Sequence, residues 1–199
     1  MSELFDIVYG MVFQPAVTLR RLAQSQSLLG KAVAVVVLVA VVEGAVVGAD
    51  WVTGTGERSG SSGVVAASAT LAVVWRLATW FAVAGILDLV AESFGGNGRG
   101  LTLLSLLGFC QAPGLLLGPV ALIPAFAGSG VRTVVTLALG VWVAVLAVIA
   151  VRESHSLSGG RSAAAVLLPL AVVILLALGS LAIIGAAAIM KFPGFTSFK

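Results

Sequence analysis

The sequence predicts an all-α fold: a polytopic transmembrane helical bundle of five spans with an N-terminal amphipathic interfacial helix. Three observations predict it. Five apolar stretches occupy most of the 199 residues, only 10% of the residues are charged, and the breaks between stretches are short and rich in glycine and serine. The stretches run Leu28 to Ala49, Val64 to Val90, Leu101 to Phe126, Val131 to Val151 and Ala163 to Met190. At about 1.5 Å per residue, a helix of each length crosses a hydrocarbon layer about 30 Å thick.

Composition excludes several classes. Hydrophobic residues make up 60% of the chain and the mean hydropathy is +1.16, whereas soluble domains average about 25% charged residues. A soluble protein of this size has too little interior to hide that excess. The net charge of +3 comes from eleven scattered basic residues against eight acidic ones, which argues against nucleic acid as a partner. The single cysteine, Cys110, lies in an apolar stretch and reads as a small hydrophobe.

Residues 1–27 differ in character from the rest of the chain. Leu4, Phe5, Ile7, Val8, Met11 and Val12 recur at helical spacing among Glu3, Asp6 and Gly10. Pro15 restarts the helix, and Ala16 to Ala23 forms a second short turn ending near Arg20 and Arg21. Two positions are equally consistent with this pattern: a helix in the headgroup layer, or one packed on the cytoplasmic ends of the bundle. Two arginines and Lys31 are too few for a strong anionic-lipid anchor. Glu3 and Asp6 stand where a cleavable signal would carry basic residues, so the first span is expected to act as its own insertion signal.

The first span carries Glu43, Gly44 and Gly48, and a polar loop from Asp50 to Gly63 comes after it. The second span holds Arg76 and ends near Asp88 and Glu92. The glycine-rich turn from Gly95 to Gly100 then joins two spans, so it is not a dinucleotide loop, which needs a strand before it. Pro113, Pro119 and Pro124, with Gly108, Gly114 and Gly118, predict a kinked third span whose freed carbonyls need other partners. The fourth span is smooth, and a polar link from Arg152 to Arg161 leads to the fifth. The domain is thus residues 28–190, with a short polar and aromatic tail, 191–199, whose Phe192, Phe195 and Phe198 lie near a membrane boundary, as Trp51 does.

The basic residues set an expected orientation. With the N-terminus inside, Arg20, Arg21, Lys31, Arg99, Arg152 and Arg161 are cytoplasmic, and Arg58, Arg132, Lys191 and Lys199 are not. That excess favours a multi-pass protein of the cell membrane with the N-terminus cytoplasmic and the C-terminus outside.

Chemistry inside the membrane concentrates at a candidate polar site: Glu43, Arg76, Gln111 and Pro113. An arginine at mid-span costs about 2.5 to 3.5 kcal/mol on insertion scales and needs a partner once inserted. Measured from the shared outer loop, Glu43 lies about 10 Å deep and Arg76 about 20 Å deep, a gap that two long side chains largely close. Gln111, or carbonyls freed near Pro113, are further acceptors. The pair reads either as a structural lock between two helices or as the lining of a polar cavity for an ion or lipid headgroup. The Gly44/Gly48 and Gly114/Gly118 spacings allow close helix contact, expected within one copy of the chain rather than at a dimer face. His155, the only histidine, is expected to be a solvated loop residue. Neither it nor Ser154, Ser156 and Ser158 belongs to a metal, cofactor or catalytic arrangement, so no enzyme, no metal and no cofactor is assigned.

The order of parts resembles the Yip family of five-span membrane proteins, in its bacterial branch. The resemblance rests on the amphipathic start Phe13-Gln14-Pro15-Ala16-Val17-Thr18-Leu19-Arg20, the turn at Gly95 to Gly100, the Ala112-Pro113 break, and the link from Arg152 to Arg161. Eukaryotic relatives are linked to Rab-type GTPases, vesicle traffic and membrane shaping. This sequence lacks their long polar N-terminal region and Asp-Leu-Tyr-Gly-Pro-type motif, so GTPase binding is not implied. The resemblance implies a non-enzymatic membrane scaffold or adaptor, with the lipid bilayer and a protein partner or second copy as its contacts. The alternative is a small transporter or channel component built around Arg76 and Glu43.

Overall fold

A computed structural model describes residues 2–24, 28–55, 61–122 and 129–191. All regular structure among them is helical: α1 (Ser2–Phe13), α2 (Pro15–Ala23), α3 (Leu29–Thr55), α4 (Ser61–Ser93), α5 (Gly100–Phe109), a 3-10 turn (Ala112–Leu116), α6 (Leu117–Leu122), α7 (Ser129–His155) and α8 (Gly159–Lys191). Five segments are long and apolar enough to cross a membrane: Leu29–Gly48, Gly63–Ser93, Gly100–Val120, Thr133–His155 and Gly159–Ala182.

The breaks arise from local chemistry. Gln14 separates α1 from α2 because Pro15, in the first turn of α2, has no amide to continue the previous helix. At the other break, Gly95 adopts φ +84° and turns the chain after α4, a conformation that costs a glycine little. The third span is broken as expected. After Phe109 the chain tightens into a 3-10 turn holding Pro113, then resumes as α6, which contains Pro119. Pro124 lies outside the described residues, as do Phe192, Phe195, Phe198 and the Trp51 side chain.

This broken span is the centre of the bundle. In its most apolar window 61% of residues are buried, against 11% in the fifth span. Leu103, Leu106 and Phe109 are fully enclosed with Val36 and Val39 of α3 and Leu146 of α7. An apolar helix surrounded by others tolerates irregular backbone because the neighbours shield its polar groups from lipid. Trp80 of α4 supports the same span by donating its indole N–H to the Leu104 carbonyl at 3.0 Å.

The spacing of Gly44 and Gly48 serves contact between α3 and α4 within the chain. A Cβ on Gly44 would stand 2.5 Å from the Cα of Ala69, and one on Gly48 2.8 Å from the Cα of Val65. Ser68 strengthens the crossing by donating to the Gly44 carbonyl at 2.8 Å. Gly114 and Gly118 face Val39 and Val42 of α3 in the same way.

The amphipathic start has an inner and an outer face. Met11, Leu19 and Leu22 are buried, and α2 packs on α7 and α5 while α1 reaches the 3-10 turn. Tyr9 and Phe13 point outward and stack with centroids 4.6 Å apart. At the opposite end of the chain, α8 is anchored by Ser162, Ala165 and Val166, and every residue from 171 to 182 is exposed. Pro169 lies inside α8, a break in hydrogen bonding that the apolar pattern of the fifth span concealed.

Two expectations are corrected. The polar segments are shorter than their composition suggests, because α7 runs to His155 and α8 starts at Gly159, while α3 and α4 extend to Thr55 and from Ser61. Helical hydrogen bonding continues beyond the apolar boundary once a tertiary neighbour supports it. His155 is the second correction. It is the last residue of α7 and 1% exposed, not a solvated loop residue.

Candidate functional site: an intramembrane ion pair

Gly44 of α3 lies opposite Ala69 of α4, and Gly48 opposite Val65, so Glu43 faces the level of residue 70. Arg76 is six residues farther along α4, an offset of about 9 Å. Its long side chain covers that offset, and Nη2 donates to Glu43 Oε1 at 3.1 Å. Both side chains are roughly one-third exposed. A full charge facing hydrocarbon would be costly, and pairing reduces that cost on both helices.

The third span completes the surroundings. Pro113 is buried in the 3-10 turn, and the next residue, Gly114, passes close to the pair: a Cβ there would lie 3.6 Å from Glu43 Oε1 and 3.8 Å from Arg76 Nη2. Those are ordinary contact distances, and the close approach that Gly114 permits is to Val39 of α3, whose Cγ1 would stand 2.9 Å from a Cβ. The structure thus gathers Glu43, Arg76 and the Pro113 turn. Gln111 joins them less directly, without a bond to either charged group. With Arg76, Thr79, Trp80 and Cys110 it lines a cavity of about 220 Å³ between α4, α5 and α7.

Two atoms around that cavity are buried and have no hydrogen-bond partner among the described residues, Arg76 Nε and Gln111 Oε1. One donates and the other accepts, so a single hydroxyl between them, or a rotation of the Gln111 amide, satisfies both. Thr79 is not available as the donor, since its hydroxyl bonds the Trp75 and Arg76 carbonyls at 2.9 and 3.0 Å. A second cavity, about 260 Å³, lies on the other side of the pair and is lined by Glu43, Val46, Val47, Leu117, Val120 and Thr136.

The chain matches the Yip1 domain over residues 9–181. It belongs to the Yip1 domain family. Neither a curated protein nor a solved structure gives a match. The family match begins at Tyr9, inside α1, and runs to residue 181 of α8, so α2, the ion pair and the broken third span all lie within the Yip1 domain of this chain.

At the end of the domain where α4 meets α5, a second polar cluster appears that the sequence did not reveal. His155 Nε2 is 3.0 Å from Asp88 Oδ1, and Ser154 Oγ is 2.9 Å from His155 Nδ1. Gly98 lies against the imidazole ring, and a Cβ on Gly96 would come within 2.9 Å of it. Asp88 Oδ2 faces Gly100 at the start of α5, where unpaired helix amides favour a negative charge. The missing side chains at Gly96 and Gly98 were the available signal, but nothing in the sequence named His155 as what fills their space. Beside this cluster Arg20 of α2 donates to Glu153 of α7 at 3.2 Å. The hydrogen bond first, and the carboxylate charge second, hold the Arg20 guanidinium above its ordinary range.

Proposed function

We propose that this Yip1-domain protein is a non-enzymatic membrane scaffold or adaptor that acts through its outer helix faces. One observation carries the reading: Glu43 and Arg76, the opposite charges carried within the first two spans, bond each other at 3.1 Å. Such a pair fixes the register of α3 and α4 and leaves apolar faces for lipid or a protein partner. The exposed length of α8, the least buried of the five spans, supplies one such face. The cavity beside the pair offers no second carboxylate for a proton or cation relay, which weighs against the transporter or channel reading.

We place the N-terminus in the cytoplasm and the protein in the cell membrane. The support is that Arg20, Arg21, Lys31, Arg99, Arg152 and Arg161 stand at one end of the bundle in this topology.

The test compares flux with contact. Protein reconstituted in liposomes is expected to pass neither small ions nor small metabolites faster than protein-free vesicles. Photo-crosslinkers at Val172 and Leu175 of α8, in native membranes, are expected to trap a discrete protein or a second copy. Solute flux abolished by Glu43→Gln or Arg76→Leu would overturn the scaffold reading in favour of transport.

A further inference from the structure

A recess of about 300 Å³ opens between α1, α2 and the first turn of α3, lined by Asp6, Ile7, Thr18, Arg21, Leu22, Leu28 and Lys31. Its floor is apolar, since Leu22 and Leu28 are buried. Its polar rim draws one charged residue from each of three helices. Lys31 is already engaged within the protein. Asp6 and Arg21 are both exposed, and neither has an ion-pair or hydrogen-bond partner among the described residues. Opposite charges line one small recess without meeting each other.

The recess sits where the first span begins, the level at which lipid phosphates meet the hydrocarbon layer. An arginine fork suits a phosphate, which it binds through two parallel N–H donors. A simple anion would be repelled by Asp6 on the same rim. A ligand carrying a phosphate and, a few atoms away, a cation with N–H donors meets both groups. Leu22 and Leu28 then face the glycerol and upper acyl chain. We propose that this recess is a headgroup site for a phospholipid bearing a primary amine, its phosphate on Arg21 and its ammonium on Asp6. The site is independent of the scaffold reading and depends only on the protein lying in a bilayer. It also accords with the small number of basic residues here: three cations make a weak anionic anchor, but one arginine opposite one aspartate makes a zwitterion site.

Delipidated full-length protein in detergent, titrated by native mass spectrometry, tests this. The probes are dioleoyl-phosphatidylethanolamine, the phosphatidylcholine and phosphatidylglycerol with the same chains, and soluble O-phosphoethanolamine. The expected result is tighter binding of the ethanolamine lipid by about tenfold over the other two, because trimethylammonium offers no N–H and glycerol no positive charge. Arg21→Ala should weaken that binding about tenfold, and Arg21→Lys, which keeps the charge but loses the fork, should fall between. Asp6→Asn should remove the preference for ethanolamine over choline. Arg152→Ala, exposed at the same end of the bundle but outside the recess, should change nothing. Both recess residues are exposed, so neither substitution empties the core, and an unchanged melting temperature checks this. Equal binding of the three lipids, or an unaltered titration in both Arg21→Ala and Asp6→Asn, overturns the proposal. So does saturation by O-phosphoethanolamine that the lipid fails to displace, which would assign the recess to a water-soluble ligand.

Discussion

His155 and Asp88, 67 residues apart in sequence, meet at 3.0 Å and fasten the end of α7 to the end of α4. The glycine-rich turn folds over the imidazole because Gly96 and Gly98 present no side chains to it. Two helix ends and one interhelical turn are therefore held by a single buried ring.

Removing that ring should loosen the whole end of the bundle. His155→Ala leaves a cavity and frees Asp88, and should cost about 2 to 4 kcal/mol, read as a lower melting temperature in detergent. Gly98→Val should be at least as damaging, because its side chain enters the space of the imidazole. A melting temperature unchanged in both variants would show that the clasp does not hold the fold.

The ion pair makes a different prediction. Arg76→Leu alone leaves Glu43 without its partner and should cost about 3 to 5 kcal/mol. Adding Glu43→Gln removes the stranded charge and should recover most of that loss. Denaturant unfolding of both single variants, the double variant and the parent in one detergent measures the coupling. Additive losses would mean that the pair contributes nothing as a pair.

Close helix contact can be tested with two glycines of opposite surroundings. Gly44→Ala should destabilise by about 1 to 3 kcal/mol, since its new methyl meets the α4 backbone. Gly140→Ala has open space around it and should be neutral or slightly stabilising, because alanine is the better helix former. Thermal melts of the two side by side decide the matter, and equal effects would remove the packing argument.

Topology can be read from accessibility. With Cys110 replaced by alanine, cysteines at Gln24, Asn97 and Ser158 should react with a membrane-impermeant maleimide from one side only. A cysteine at Arg58 should react from the other. Labelling of Asn97 and Arg58 from the same side would require a different number of crossings.

The sequence alone determined five helices long and apolar enough to cross a membrane, the amphipathic start and the kinked third span. Each depends on the solvent: lipid demands long apolar helices, and proline removes an amide wherever the chain goes. The identity of Glu43 and Arg76 as candidates was legible for the same reason, because an ionised group at mid-span is conspicuous by its cost. Tertiary structure decided which charges meet and how. Whether Arg76 reached Glu43 or the carbonyls near Pro113 depended on the α3–α4 crossing at Gly44 and Gly48, and a crossing is a relation between two helices that neither encodes by itself. It also decided that Gln111 turns toward a cavity and not to the pair, and that His155 is enclosed rather than solvated. A lone histidine in a polar segment carries no mark of its partner. Only the packing of α7 against α4 brings Asp88 within a hydrogen bond of it.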